Sequence, residues 1–334
     1  MGDFMTNILD LKKVLEEKIS KSKQVILSGH IGADYDSIAS CIAMSEIIKK
    51  FNTDVYILCD EKEVIQQGVK EMINSTNSII NYINNEEYNK IKSNQDLLIT
   101  LDVSSKDLLP CSNYLQHFKN IIVIDHHTQT KYPIETEYNY ILSDVSSTSE
   151  IITDLLMIYK IKFTKNLANY LLAGIYLDTK YYSQNCSSKT LEIGSKLMSY
   201  GADINRVNEF FEMDFGSDRK VQNLVNKAKF ITYKIGLCIA DEDVIYTKEE
   251  LAKVADYLLK FKTDAAFAVG LIDKELISIS ARSNGKIDVS KIMNIMNGGG
   301  NIYSAATKID DSDLKTNGKK LELLIKPNFY VEEN

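Results

Sequence analysis

The sequence predicts an α/β protein with a parallel sheet covered by helices and a second, smaller mixed α/β domain. Three observations lead to this prediction. Short, continuous apolar runs alternate with helical patterns through the first half of the chain, as in parallel sheets buried on both faces. Strand-like runs return from residue 231 onward. The chain has 334 residues, more than one ordinary domain contains.

The first half carries four strand-like runs separated by helical patterns. Apolar residues at helical spacing predict helices over residues 8–19 and 37–50. Continuous apolar runs predict the buried strands, which are residues 24–28, 55–58, 97–101 and 121–124. Because ligands of a parallel sheet collect at the carboxyl ends of its strands, polar residues that follow these runs are candidate site residues.

The second half begins with helical patterns from residue 147 to 201, including a helix over 167–177. The charged segment 203–230 has no strand-like run and is predicted to be a helical connector. Further strands and one helix are predicted at residues 235–240, 265–272, 276–281 and 289–296. We therefore expect a first domain over 1–200, a connector over 201–230 and a second domain over 231–334.

Composition limits the function classes. The net charge of −7 argues against a protein that binds long nucleic acid, but it leaves room for a small phosphorylated substrate held by a metal. No apolar run approaches the ~20 residues that span a bilayer, and no signal-peptide core opens the chain, so we expect a cytoplasmic protein with no membrane segment. The five cysteines are widely spaced without a CxxC pair and are predicted to be reduced thiols.

Three of the four histidines lie in two short clusters that each follow a predicted strand. Histidine together with aspartate at strand ends indicates a divalent metal site. The candidate ligands are His30, Asp34, Asp36, Asp102, His126 and Asp178. Their four carboxylates would balance two divalent ions, and two such ions form the usual clamp for displacement at phosphorus. Two alternatives remain open: Asp34 and Asp36 could cap a helix, and Asp102 could begin a turn.

These residues resemble the DHH–DHHA1 phosphoesterase superfamily over about residues 24–310. The ordered motifs are His30 with Asp34 and Asp36, then Asp102, then Asp125-His126-His127, and finally Asp178. The later part resembles the DHHA1 domain in the segments 280–283, 287–289, 298–301 and 305–307.

The resemblance implies roles for individual residues. One metal would be held by His30, Asp34 and Asp102, and the other by Asp36, Asp102, His126 and Asp178, with Mn²⁺ as the expected ion. His127 would bind the scissile phosphate or assist the leaving oxygen, and Asp125 would support a histidine. The implied substrate contacts are Thr148, Arg282, Ser283, Gly298, Gly299, Gly300 and Asn301. A surface arginine and a simple glycine turn are the alternatives for the later part of this set.

Within the superfamily the chain is similar to GdpP-type cyclic-di-AMP phosphodiesterases. We expect hydrolysis of cyclic di-AMP to 5′-pApA by attack of a hydroxide held between two metals. A nanoRNase-type hydrolase of pApA or short oligonucleotides is the second hypothesis. A cyclic-dinucleotide-binding module is the third, because Asn301 and Asn185 replace the His and Arg usual in those enzymes. The family is also compatible with a homodimer, and both a stand-alone enzyme and the catalytic part of a longer protein stay open.

Overall fold

A computed structural model of the chain describes Met5, Val64 and residues 7–60, 66–127, 132–212, 215–232, 234–300 and 302–328. These residues form two compact units, one that ends at Glu212 and one that begins at Phe215. The predicted substrate contact Asn301 lies outside the described residues.

The helices of the first unit are α1 (Ile8–Ser20), α2 (Tyr35–Lys49), α3 (Gln67–Thr76), α4 (Asn85–Ile91), α5 (Thr148–Ile158), α6 (Lys165–Asp178), α7 (Ser188–Ser199) and α8 (Ile204–Phe210). Its strands are β1 (Gln24–Ser28), β2 (Asp54–Leu58), β3 (Asn81–Ile83), β4 (Leu97–Leu101), β5 (Asn120–Asp125) and β6 (Tyr138–Ile141).

The first unit is built on one six-stranded sheet in the order β3-β2-β1-β4-β5-β6. All neighbouring strands run parallel, which confirms the predicted parallel sheet. From β1 the chain adds β2 and β3 on one side of the sheet and then β4, β5 and β6 on the other. Ligands of such sheets bind in the crevice at this switch point, outside the carboxyl ends of β1 and β4.

Both faces of this sheet are buried, as its continuous apolar strands predict. Val25 and Leu27 of β1 belong to one core cluster with α1, α2, α5 and α6, whereas Ile26 belongs to a second cluster on the opposite face. Tyr88 of α4 and Phe118 cover that second face. Burial on both sides fixes the register of the strands and hence the places where they end.

The second unit holds the helices α9 (Phe215–Val225), α10 (Lys248–Leu259), α11 (Val289–Ile295) and α12 (Leu314–Asn328). Its strands are β7 (Lys229–Thr232), β8 (Ile235–Ile239), β9 (Ala265–Asp273), β10 (Leu276–Ser283), β11 (Gly299–Gly300) and β12 (Ser304–Ile309). They form a mixed sheet in the order β11-β12-β10-β9-β8-β7, in which only β8 and β9 pair in parallel among the described strands. The predicted mixed α/β second domain is confirmed.

The structure adds elements that the apolar runs do not predict. The edge strands β3 and β6 are short and partly exposed, so they lack a continuous apolar run. Strand β7 begins at Lys229, inside the segment predicted to be wholly helical. Helix α10 begins with a capping box between Thr247 and Glu250, a sequence signal that could have located it. Among the described helices, none combines the length and the apolarity that a bilayer crossing requires.

Candidate metal centre

The loop after β1 brings His30 and Asp34 together. Asp34 is the N-cap of α2, and its Oδ1 accepts hydrogen bonds from the backbone N–H groups of Asp36 (3.0 Å) and Ser37 (3.1 Å). Helix capping therefore accounts for only one of the two carboxylate oxygens of Asp34. The other oxygen, Oδ2, lies 3.6 Å from Nε2 of His30 and is turned toward the site.

The imidazole of His30 has its two nitrogens in different surroundings. Nδ1 lies 3.0 Å from the carbonyl oxygen of Ile31, which can only accept a hydrogen bond, so Nδ1 carries a proton. Nε2 faces Asp34 and Asp102, with each nearest carboxylate oxygen 3.6 Å away. Burial opposes protonation of this ring, but the two carboxylates outweigh it and raise the pKa of His30 to about 10. A bound cation would take the place of that second proton.

Asp102 follows β4 and lies at the centre of the cluster. Its backbone is left-handed (φ 63°), and its N–H donates to the carbonyl of Ile124 on the neighbouring strand, at 3.0 Å. The side chain is only 2% exposed. Oδ2 faces Nε2 of His30 at 3.6 Å, and Oδ1 faces Nε2 of His126 at 3.4 Å. One carboxylate is thus shared by two histidines, which suits a ligand that bridges two cations.

Asp36 is buried at the start of α2 and is held by the N-terminus of another helix. Its Oδ2 accepts from the backbone N–H of Thr148 and its Oδ1 from that of Ser149, both at 2.7 Å. The first N–H groups of a helix have no acceptor within the helix, and the helix dipole is positive at this end, so the start of α5 favours a negative charge. Helix α5 therefore fixes the Asp36 carboxylate.

Thr148 takes part in this arrangement through its side chain as well. Its Oγ1 lies 3.3 Å from Oδ1 of Asp102, and the residue has no exposed surface. Thr148 therefore contacts two candidate ligand carboxylates, Asp36 and Asp102. Its expected contact with substrate stays a prediction.

Asp178 is the last residue of α6, and Gly174 lies one turn before it. A Cβ atom on Gly174 would lie 2.4 Å from Oγ of Ser149, so only glycine lets α6 approach α2 and α5 this closely. This approach places Oδ2 of Asp178 3.4 Å from Nε2 of His126. Both atoms are buried, and neither has a hydrogen-bond partner among the described residues.

The charge of the cluster also fits a cation. Burial and then the neighbouring carboxylates, Asp36 foremost, raise the pKa values of both Asp102 and Asp178 well above the ordinary range. Unpaired buried carboxylates are costly unless a cation neutralises them. Three groups bring possible ligand atoms within 4.8 Å of one another: His30, Asp34 and Asp102; Asp36, His126 and Asp178; and Asp102, Asp125, His126 and His127.

His127 lies beside the cluster with an anchored inner nitrogen. Oδ1 of the buried Asp125 accepts from the backbone N–H groups of His126 and His127 and lies 2.8 Å from Nδ1 of His127. The side chain of His127 is 53% exposed. Asp125 thus orients a ring whose other nitrogen is available to a ligand.

The segment after Asp178 has an uncommon backbone. Lys180, Tyr181 and Tyr182 are consecutive left-handed residues, with φ of 44°, 59° and 61°. Such residues cost on the order of 1–2 kcal/mol each without glycine. Thr179 holds the turn: its Oγ1 donates to the carbonyl of Ile175 (2.6 Å) and accepts from the N–H of Tyr182 (2.9 Å). Asn185, where an arginine was expected, is also left-handed, with φ of 48°.

The predicted substrate contacts of the second unit lie on or beside its sheet. Arg282 is on β10, with Nε 3.4 Å from Oδ2 of Asp256. Ser283 is buried and donates through Oγ to the carbonyl of Asp264 at 3.1 Å. The interactions of Arg282 and Ser283 with substrate stay predictions.

The glycine segment before β12 has packing reasons for two of its members. A Cβ on Gly298 would lie 2.2 Å from the carbonyl of Ala306, and Gly300 has φ of 139°. Gly299 faces open space. Close backbone packing thus explains Gly298 and Gly300 without a ligand, and their contact with phosphate stays a prediction.

Two family models match the chain. The model of the DHH family, N-terminal domain, matches residues 24–175, and that of the DHHA1 domain matches residues 228–326. The matched regions contain the strand ends described above and the sheet of the second unit. Asp178 lies just beyond the first matched region.

Curated relatives are similar over most of the chain. A "membrane protein-large ribosomal subunit bL9 fusion protein" of Aster yellows witches'-broom phytoplasma is 30% identical over 331 residues, which is 96% of this chain and 38% of that protein. The cyclic-di-AMP phosphodiesterase GdpP of Bacillus subtilis is 30% identical over 310 residues, which is 90% of this chain and 47% of that protein. The chain thus spans less than half the length of these relatives.

Among solved structures, an exopolyphosphatase-related protein from Bacteroides fragilis superposes with a TM-score of 0.80. It is 19% identical in sequence, and the match covers 94% of this chain and 95% of that one. At this identity the likeness concerns the fold alone.

Proposed function

Because the chain belongs to the DHH family of phosphoesterases, we propose that it hydrolyses cyclic di-AMP to the linear dinucleotide 5′-pApA in a metal-dependent reaction. The observation that carries the proposal is the position of Asp102, whose two carboxylate oxygens face His30 and His126. A shared carboxylate between two histidines suits a pair of divalent ions.

The ligands divide into two sets that share Asp102. His30, Asp34 and Asp102 would hold one ion, whereas Asp36, Asp102, His126 and Asp178 would hold the other. Mn²⁺ is the ion we favour, because it accepts both imidazole and carboxylate ligands. When bound, the ions supply an activated water and neutralise charge on the phosphoryl oxygens.

The residues around the ions would orient the reaction. Asp125 holds Nδ1 of His127 at 2.8 Å, so Nε2 of His127 is the nitrogen that would donate a proton to the leaving 3′ oxygen. The N-terminus of α5 keeps Asp36 in place through Thr148 and Ser149. Arg282, Ser283 and the glycine segment 298–300 would contact the phosphate or base of the substrate.

The choice of a cyclic dinucleotide rests on relatives. The similarity to GdpP of Bacillus subtilis extends over 90% of the chain and supports cyclic di-AMP as the substrate. A short linear dinucleotide is the competing substrate, as in a nanoRNase-type enzyme, because the same centre can cut either diester.

The test compares both substrates directly. Purified protein with Mn²⁺ is incubated with cyclic di-AMP and with pApA in parallel, and products are separated by chromatography. We expect cyclic di-AMP to disappear faster while pApA accumulates. Asp102→Asn is the control, since asparagine tolerates the left-handed backbone of that position.

Two outcomes would contradict the proposal. Faster conversion of pApA to AMP would assign the protein to the hydrolases of short linear nucleotides. Binding of cyclic di-AMP without product, in protein shown to hold metal, would indicate a binding module.

A further inference from the structure

Tyr181 is an exposed aromatic residue three positions after Asp178, and we propose that its ring stacks on a nucleobase of the substrate. The inference rests on the proposed function, because it assumes a nucleotide substrate. It assigns Tyr181 as a binding residue that determines affinity for the base, in addition to the groups that hold phosphate.

The backbone of Tyr181 is held in one conformation. The residue is left-handed (φ 59°), and its N–H donates to the carbonyl of Tyr176 at 2.8 Å. The backbone N–H of the neighbouring Tyr182 donates a hydrogen bond to the hydroxyl oxygen of Thr179 at 2.9 Å. A side chain presented from such a fixed turn loses little freedom when a ligand binds, which favours recognition.

The ring of Tyr181 is held by other aromatic rings and still meets solvent. It makes edge contacts with Tyr176 (centroids 5.6 Å apart) and with Phe211 (5.4 Å). Phe211 packs on Tyr35 at 4.4 Å, and Tyr35 lies between Asp34 and Asp36 in the chain. These four residues, the aromatic cluster, connect the turn that follows α6 with the start of α2. Tyr181 as a whole residue remains 56% exposed.

A large aromatic surface at this place matches the chemistry of a nucleotide. The carboxylates of the cluster can attract phosphate only through bound cations, and the exposed tyrosine adds an aromatic surface that a base can use. Nucleobases stack on tyrosine regardless of sequence, because every base has a π-face. Tyr200, another exposed aromatic residue of this unit, stacks on Phe163 at 4.3 Å with nearly parallel planes, so a neighbour already covers one of its faces.

The first measurement uses fluorescence. The chain contains no tryptophan, so Tyr181→Trp creates a single reporter at the proposed contact. In the presence of Mg²⁺, the variant is titrated with AMP, which has no diester to cleave, and with ribose 5-phosphate, which has no base. We expect saturable quenching by AMP and none by ribose 5-phosphate. The matched control, Tyr200→Trp, should respond to neither.

The second measurement uses affinity. Tyr181→Ala should weaken binding of AMP and raise KM for the dinucleotide about tenfold, whereas Tyr181→Phe should stay within twofold of the unmodified protein. Ribose 5-phosphate should bind all three equally. If Tyr181→Ala does not fold, as judged by thermal melting, Tyr181→Asn replaces it, because asparagine suits a left-handed backbone.

The results separate the inference from the proposed function. The stacking role would be overturned if the unmodified protein and Tyr181→Ala bound AMP with equal affinity. It would also be overturned if ribose 5-phosphate quenched Tyr181→Trp as strongly as AMP does. Quenching by AMP in a protein that does not turn over cyclic di-AMP would keep the stacking role and reject the proposed reaction.

Discussion

Gly174 approaches Asp36 so closely that a Cβ atom on Gly174 would lie 2.8 Å from Oδ1 and 2.9 Å from Cα of Asp36. Gly174→Ala should therefore push α6 away from α2 and displace Asp178. We expect a loss of about 1–3 kcal/mol in the free energy of unfolding, typical of overpacking, together with weaker metal binding. Denaturant unfolding and metal titration would measure the two effects.

Ala173→Gly is the matched control for this substitution. It also weakens α6, by about 1 kcal/mol through helix propensity, but it adds no atom near Asp36. Unchanged metal affinity in Gly174→Ala, alongside a stability loss like that of the control, would show that the close approach serves packing only.

Asp102→Asn should strongly reduce turnover and yet stabilise the metal-free protein. Burial and the carboxylates of Asp36 and Asp34 raise the pKa of Asp102 in the folded state. A raised carboxyl pKa stabilises the fold at acidic pH, and that contribution is lost as pH rises through the folded value. Asparagine removes this penalty at pH 7.5, so the melting temperature in chelator should rise while activity falls roughly 10³-fold. A lower melting temperature than the unmodified protein in chelator would contradict this account.

Metal binding should release protons and strengthen with pH. The ring of His30 is partly buried, which disfavours its charge, but Asp34 and Asp102 raise its pKa to about 10 in the metal-free protein. The protonated ring stabilises that state fully below pH 6.5, and the contribution disappears as pH rises through 10. A metal needs Nε2 unprotonated, so apparent affinity should increase from pH 6.5 to 8.5.

Calorimetric titrations in buffers of different ionisation enthalpy would count the protons released on metal binding. The exposed His117 provides the control, since His117→Gln should leave the proton count unchanged. A metal affinity that is constant between pH 6.5 and 8.5 would reject the assignment of His30 as a ligand.

Glu150→Gln should weaken the N-terminus of α5 that holds Asp36. Oε2 of Glu150 is buried and accepts from the backbone N–H of Ser146 (3.2 Å), its hydroxyl (2.7 Å) and the hydroxyl of Thr190 on α7 (3.0 Å). Loss of the charged acceptor should cost about 1–3 kcal/mol of unfolding free energy and reduce metal affinity. Thr190→Val, which removes one donor with little change of shape, should cost less, about 1 kcal/mol. If the unmodified protein, Glu150→Gln and Thr190→Val bound metal with equal affinity, the hydrogen bonds of Glu150 would have no role in the metal site.

The sequence could predict the positions of several candidate ligands, because buried parallel strands appear in it as continuous apolar runs. The apolar runs of β1, β4 and β5 mark the points after which His30, Asp102 and His126 follow. Neighbouring parallel strands end at one edge, so these side chains meet in the structure. The short edge strands β3 and β6 carry no such run, so the apolar pattern does not predict them.

The supports of the site could not be predicted from local patterns. The partners of Asp36 are backbone groups 112 and 113 residues away, and any helix start offers the same N–H groups whatever its side chains. Gly174 lies in an apolar helical stretch, where only the packing of α6 on α2 reveals its need for a small side chain. The aromatic cluster likewise joins residues that no spacing rule relates.

The distance along the chain between Asp36 and its two backbone donors has a consequence for synthesis on the ribosome. The strands β1, β2 and β4 leave the ribosome before residue 148 has been made, so Asp36 has no anchor at that stage. Asp178 emerges later still. A nascent chain arrested before α5 therefore holds Asp36 without its two backbone donors, and the ion that Asp36 and Asp178 would share should bind only after α6 has been translated.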